Sequence, residues 1–344
     1  MAIELSNLTF TDQDDIVPAS GEDAIINTGT ANTLAGNDII TGTTITGSDH
    51  FGILNSGTIN TGAGHDILIG ICEQDHPIVP NGGIRIDGGT INTDDGNDII
   101  IGTSQATDGI FMSRGTINTG DGNDEITGTA IGSGINVNNQ SIIDTGNGSD
   151  TITGTGGYGL ENYFTINTGD GNDKITGNGT FPGGYGIVNV GTMDTGTGKD
   201  EITGTSANGW GIYNYFGSTI DTGDGNDKIT GTGSTGIYNN GIIKTGNGKD
   251  SIIADGGFNG TGSVFLENGK DYLKGFGSGI FNGGNGQDTL ELTSGSYTIG
   301  ISSAGVNFAK DGIIMNTVGF EELIAGSTSY DFTSLTEGQT IIVA

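Results

Sequence analysis

The stretch "INTGDGNDKITG" at Ile166–Gly177 returns almost unchanged as "IDTGDGNDKITG" at Ile220–Gly231. A fixed internal period restricts a chain to architectures in which one unit stacks on the next. Aligned on the aspartate that follows the Asn or its substitute, the copies fall at Asp38, Asp66, Asp98, Asp124, Asp150, Asp173, Asp200, Asp227, Asp250, Asp271 and Asp288, with intervals of 28, 32, 26, 26, 23, 27, 27, 23, 21 and 17 residues. The residue two before the Asp is Gly in all eleven copies, and the residue two after is Ile or Leu in all eleven. Each copy therefore reads as a glycine-bent turn, an Asp, and a short strand whose Ile points inward while its neighbours point outward. A second phrase lies between the turns: "GILNSGTI" from Gly52, "GIVNVGTM" from Gly186, "GIYNYFGSTI" from Gly211 and "GIYNNGII" from Gly236. It adds another inward apolar pair and an Asn at a bend, so that four or five apolar side chains face inward per coil. One coil cannot bury its own apolar side, and stacking puts Ile on Ile and turn on turn. The expected fold is all-β: a right-handed parallel β-solenoid with one acidic turn per coil, a rod of about 50 Å at a strand spacing of about 4.8 Å.

Composition agrees and narrows the function. Glycine supplies 69 of 344 residues, which disfavours long helices. The balance of 10 Lys plus Arg against 41 Asp plus Glu gives a formal net charge of −31, a surface that repels nucleic acid and anionic lipid and attracts cations. Cys72 is the single cysteine, so no internal disulfide forms. No apolar run has the length of a transmembrane segment. The opening "MAIELSNLTF" does not read as a cleaved signal peptide. The expected location is extracellular or at the cell surface, reached without an N-terminal signal.

In register, the eleven aspartates form a column with neighbours about 5 Å apart, each pair repelling by about 1 kcal/mol even at the dielectric of water. Lys174, Lys199, Lys228, Lys249 and Lys270 flank some turns but are too few to line it. A divalent ion fits, because Ca2+ takes several oxygen ligands and glycine turns expose carbonyls beside each carboxylate. "GGNGQDTLE", Gly283–Glu291, matches the nonapeptide of RTX (hemolysin-type) calcium-binding repeat proteins, and the chain resembles that family over about residues 33–292. The resemblance implies that the sixth-position aspartates, Asp38 through Asp288 as named above, bind Ca2+ with their side chains. Ions shared between coils would number up to about ten, one per gap. The chain departs from the family in having one such turn per longer coil and in usually having Thr at the first position, as at Thr168 and Thr222. The second glycine is replaced by Leu34, Asp94 and Glu267, which makes those three turns the weakest expected sites.

Pairs of threonines follow the inward Ile at Thr41 and Thr43, Thr127 and Thr129, Thr153 and Thr155, Thr203 and Thr205, and Thr230 and Thr232. They should face outward in rows, resembling ice-binding solenoids, although Thr also suits any exposed strand face. Phe111, Tyr163, Phe164, Tyr213, Tyr215, Phe216 and Tyr238 lie near the variable bends and should stack between coils or form a docking patch. His50, His65 and His76 surround Cys72 without a standard zinc spacing. Arg85 and Arg114 are the only arginines; polysaccharide lyases on β-helices resemble this layout in pairing calcium with a basic residue, but no convergent acid and base accompany them. Residues 1–32 hold a degraded copy, "SGEDAII", and read as an N-terminal cap. Residues 33–292 are the repeats. Residues 293–344 read as a C-terminal cap, whose "VGFEELIAG" and "EGQTIIVA" resemble segments of type I secreted RTX proteins. The leading expectation is a non-enzymatic, secreted, calcium-binding structural protein that associates with itself head to tail into a filament, surface layer or matrix, with surface polysaccharide as a further partner. An ice-binding solenoid is the alternative, and a lyase-like enzyme the third reading.

Overall fold

The computed structural model describes residues 2–21, 24–45, 50–73 and 82–344. Every full coil takes the same path. The strand after the Asp, such as Lys174–Gly179, joins sheet I; the "GI" strand, such as Tyr185–Asn189, joins sheet II; a three-residue strand, such as Thr192–Asp194, joins sheet III. The chain then enters the next acidic turn. From Asp170–Gly171 onward, the turns themselves pair as a short sheet IV that runs to Asn285–Gly286. Within the repeats all pairing is parallel and coil-to-coil: Ile152 lies beside Ile175, Ile175 beside Ile202, and Ile202 beside Ile229. The chain is an all-β parallel β-solenoid. Among the described residues no helix is long and apolar enough to cross a membrane.

The interior is leaner than the sequence suggests. Most coils contribute three large apolar side chains, one from each sheet, such as Ile202, Ile212 and Ile220, all fully buried, and three successive coils add a fourth, Ile86, Met112 and Val137, where other coils carry the bend Asn. The other inward positions carry Asp, Thr, Asn and Gly. The buried asparagines form a ladder at the bend between sheets II and III: Asn162 donates to Asn189, Asn189 to Asn214, and Asn214 to Asn239, each at 2.9 Å. Glycines at the centre of the threonine pairs face the glycines of the "GI" phrase. A Cβ on Gly204 would stand 2.2 Å from the carbonyl oxygen of Gly211, and one on Gly128 2.2 Å from that of Gly134. Sheets I and II therefore meet backbone against backbone along this line, which leaves no room on it for an apolar side chain.

The ends are built differently. Ile16–Gly21 pairs in parallel with Ile39–Thr44, which places Asp15 one coil before Asp38. The "AII" of the degraded copy instead enters sheet II, with Ile25 beside Ile53. After Leu292 the strands Gly295–Ser302, Gly305–Lys310 and Ile313–Val318 form an antiparallel meander, whose last strand lies parallel on Gly279–Asn282. Thr340–Val343 pairs antiparallel with Gly295–Thr298, and Ile341 and Val343 are buried. The apolar segment Thr340–Val343 is thus part of the chain's own cap. In the longest interval between aspartates, from Asp66 to Asp98, Ile71 and Cys72 complete a strand, and residues 74–81 lie outside the described residues.

Candidate calcium column

All eleven predicted aspartates are brought into one column, and all are buried, none more than 3% exposed. The backbone N–H of each donates to Oδ1 of the Asp one coil further on. Asp38 donates to Asp66, Asp66 to Asp98, Asp98 to Asp124, Asp124 to Asp150 and Asp150 to Asp173, all at 2.7–2.8 Å. The ladder continues through Asp200, Asp227, Asp250 and Asp271 to Asp288 at 2.8–2.9 Å. It also runs past the predicted set, since Asp15 N–H donates to Asp38 Oδ1 and Asp288 N–H to Glu321 Oε2.

Oδ2 of every one of the eleven is buried without a protein partner. A buried carboxylate oxygen left unpaired carries a desolvation cost, which the amide on Oδ1 and a nearby Thr hydroxyl, such as Thr93 beside Asp98 and Thr168 beside Asp173, offset only in part. Burial accordingly pushes the carboxyls upward. Asp98, Asp173, Asp250 and Asp271 reach about 7, and Asp150, Asp227 and Asp288 about 6; in each, burial is the largest cause and the amide donated by the preceding coil opposes it. Asp38, Asp66, Asp124 and Asp200 move in the same direction. Among the described residues no group of three or more His, Cys, Asp or Glu gathers to hold a metal. An ion here must rest on one or two carboxylates completed by backbone carbonyls and water, a donor set for a hard cation such as Ca2+ and not for zinc. The residues present fit calcium: orphaned carboxylate oxygens in file, beside glycine turns.

The turns explain their own sequence. The fourth-position glycine touches the turn before it, since a Cβ on Gly122 would stand 1.3 Å from the Gly96 oxygen, and one on Gly248 1.3 Å from that of Gly225. The second position is left-handed, as at Gly169 with φ +83°. Leu34, Asp94 and Glu267 adopt the same region at +78°, +57° and +67°. The three irregular turns therefore keep the geometry of the others, at a strain of about 1–2 kcal/mol each. Asp98 is as deeply held as Asp227, so the two should matter alike. We expect Asp98→Asn and Asp227→Asn to raise the calcium midpoint of folding by similar factors in a titration followed by circular dichroism. A much smaller effect at Asp98 would mean that the turn containing Asp94 holds no ion.

Sequence reasoning missed a second ladder at the fifth position. His65 N–H donates to Asn37 Oδ1, Asn97 N–H to His65 Nδ1, Asn123 N–H to Asn97 Oδ1, and Lys199 N–H to Asn172 Oδ1, at 2.7–3.0 Å. The recurrence of Asn before the Asp was its signal. His65 is thereby engaged as an acceptor, and His76 lies outside the described residues. Lys174 and Lys228 pair with Glu201 on the outer face, at 3.8 and 3.0 Å, and not with the column. Arg85 lies over the rings of Phe51 and Phe111 and pairs with Asp87, as does Arg114. Tyr158, Tyr185, Trp210, Tyr213 and Tyr238 form a stack beside sheet II, while Tyr163, Phe164, Tyr215 and Phe216 are exposed. Tyr158 packs on Tyr185 and Tyr185 on Trp210, with centroids 5.5 and 5.0 Å apart, so their faces are largely taken by one another.

On sheet I, Thr127, Thr153, Thr176, Thr203 and Thr230 form one outward row in register over five successive coils, and Thr129, Thr155, Asn178, Thr205 and Thr232 form the row beside it. Thr41 and Thr43 stand apart from this block, separated by coils carrying Ile69 and Ile71 and then Ile101 and Thr103.

No protein-family model and no curated protein matches the chain. Among solved structures the chain is similar to one described as the X-ray crystal structure of a hyperactive, Ca2+-dependent, β-helical antifreeze protein from an Antarctic bacterium. The two share 17% sequence identity over 95% of this chain and 97% of that one, at a TM-score of 0.49.

Proposed function

We propose that the protein is a non-catalytic, extracellular ice-binding solenoid, held in shape by calcium and contacting ice through the threonine rows of sheet I. The observation that carries this reading is the five-coil block from Thr127 to Thr232, in which Thr or Asn occupies both outward rows. Strand stacking and strand alternation give the block a mesh of about 4.8 Å along the rod by about 6.7 Å across it, the scale of oxygen repeats in ice. The sheet behind it is stiff, because its glycine line abuts the glycine line of sheet II. The Thr176 and Thr230 hydroxyls are turned under and that of Thr127 donates to Glu125, so the first row presents mainly methyl groups, and a regular array held in fixed register can order water where a mobile surface cannot. The charges of the adjacent row are partly engaged with one another through Lys174, Glu201 and Lys228, which leaves the threonine rows neutral.

Calcium's part in this reading is to neutralise the buried column, so that the coils stack at fixed spacing and keep the rows aligned. The expected result is thermal hysteresis and faceted ice growth by the full chain in millimolar calcium. Thr203→Tyr should abolish most of the hysteresis without changing the melting temperature, while Thr219→Tyr, which points outward from sheet III, should leave it intact. Absence of hysteresis and ice shaping in the calcium-loaded wild-type protein would defeat the reading.

A further inference from the structure

The carboxylate column does not stop where the repeats stop. Glu322 pairs with Thr289 and Leu323 with Leu290, so Glu321 occupies the place that Asp would take in a twelfth acidic turn. The turn itself has shrunk. Asn282 is paired with Val318, and where the last repeat uses residues 283–287 before its Asp, the cap uses only Gly319 and Phe320. Gly319 bends left-handed at φ +70°. Glutamate is one methylene longer than aspartate, and from this shortened turn it still reaches the column, its Oε2 accepting the Asp288 N–H at 2.7 Å.

Two observations mark this junction as a ligand site. Asp288 is fully buried and its Oδ2 has no protein partner. On the solvent side of Glu321 lies a recess of about 280 Å3 lined by Lys270, Gln287, Glu321, Ser329 and Tyr330, among others, while Asp288 stays behind it in the interior. The other carboxylates there are occupied. Glu322 accepts from Thr289 and Ser329, and Asp331 caps Thr333. Glu321 keeps its second oxygen free of protein partners among the described residues. We propose that the Asp288–Glu321 junction holds a divalent cation of its own, calcium by the all-oxygen character of its donors, and that this ion fastens the C-terminal cap to the repeats.

The inference rests on the reading of the aspartate column as calcium sites and extends it to a residue outside the repeat. It gives Glu321 a second role beyond accepting one amide: without a cation, Glu321 would bring a further negative charge onto a buried, unpaired one. Lys270, in the same recess, is the protein's own alternative counter-ion.

The test compares full-length wild type with Glu321→Gln, Glu322→Gln and Lys270→Gln, using calcium as the probe. Glu321→Gln keeps an oxygen for the Asp288 amide and removes only the charge. It should bind one calcium ion fewer by equilibrium dialysis, and at saturating calcium should show faster amide exchange in the paired cap strands, 322–325 above all. Glu322→Gln should bind the full number, and Lys270→Gln should tighten the junction site. Full stoichiometry and affinity in Glu321→Gln, with the wild type binding calcium, overturns this inference alone, and a cap loosened equally by Lys270→Gln assigns the junction to a direct ion pair instead. A wild type that binds no calcium overturns the column as well.

Discussion

In calcium-free buffer, the melting temperature of this protein is expected to fall as pH rises from about 4.5 to 7.5, the opposite of ordinary acid denaturation. The buried column carboxyls titrate at about 6 at Asp150 and Asp227 and about 7 at Asp98 and Asp250 in the folded chain. In the unfolded chain they titrate near 3.9. A carboxyl raised on folding contributes stability that is fully present below its unfolded value and is lost as pH rises through its folded value. A tenfold gain in a carboxyl's proton affinity on folding corresponds to about 1.4 kcal/mol. Even a fraction of that over eleven buried sites rivals the total stability of a domain, about 5–15 kcal/mol. Calcium bound as proposed would reverse the slope, because it takes only the ionised carboxylates and so stabilises more as they deprotonate. Circular dichroism melts across this pH range, with and without about 5 mM calcium, should give curves of opposite slope. A calcium-free melting temperature that is flat or rises with pH would show that the column is not a file of unpaired buried carboxyls.

The features legible in the sequence were those imposed on every coil by the same contact. The fourth-position glycine recurs because the preceding turn's carbonyl leaves no room for a Cβ, and the Ile two after the Asp recurs because it fills the one large space sheet I offers. What escaped were contacts whose partners change identity along the rod. Asp15 joins the ladder from "TDQDD", with Gln13 at the glycine position; this is tolerated because no earlier acidic turn presses on it among the described residues. Glu321 joins from a turn too short to align. The glycine line between sheets I and II was hidden inside the threonine motif, where the eye follows the outward residues. The antiparallel cap has no period at all, so only pairing could reveal that Ile341 and Val343 are interior.

Gly198→Ala should be among the most damaging single substitutions in the protein, and Gly217→Ala among the mildest at a left-handed glycine. At Gly198, φ is +142° and an added Cβ would stand 1.3 Å from the backbone oxygen of Gly171. Neither atom belongs to a flexible side chain, so relief requires the two coils to separate. Separation would break the short turn pairing of Thr197–Gly198 with Asp170–Gly171 and strain the bond from Asp173 N–H to Asp200 Oδ1 in the same turn. At Gly217, φ is +81° but nothing lies within 4 Å of the added Cβ, so only the left-handed backbone strain of about 1–2 kcal/mol remains. A steric and hydrogen-bond loss of about 4 kcal/mol or more corresponds to a drop of about 10 °C or more in a chain of this class, against about 2–5 °C for Gly217→Ala. A solenoid couples each coil only to its neighbours, so the damaged junction should also split the melt into two transitions, one for the coils before Gly198 and one for those after. Calcium should not restore a single transition, because the clash lies in the turn that positions the ligands on both sides of the gap. A single transition within a few degrees of wild type for Gly198→Ala would mean that the turns are not in contact as described, and the close stacking on which both the column and the threonine rows depend would fall with it.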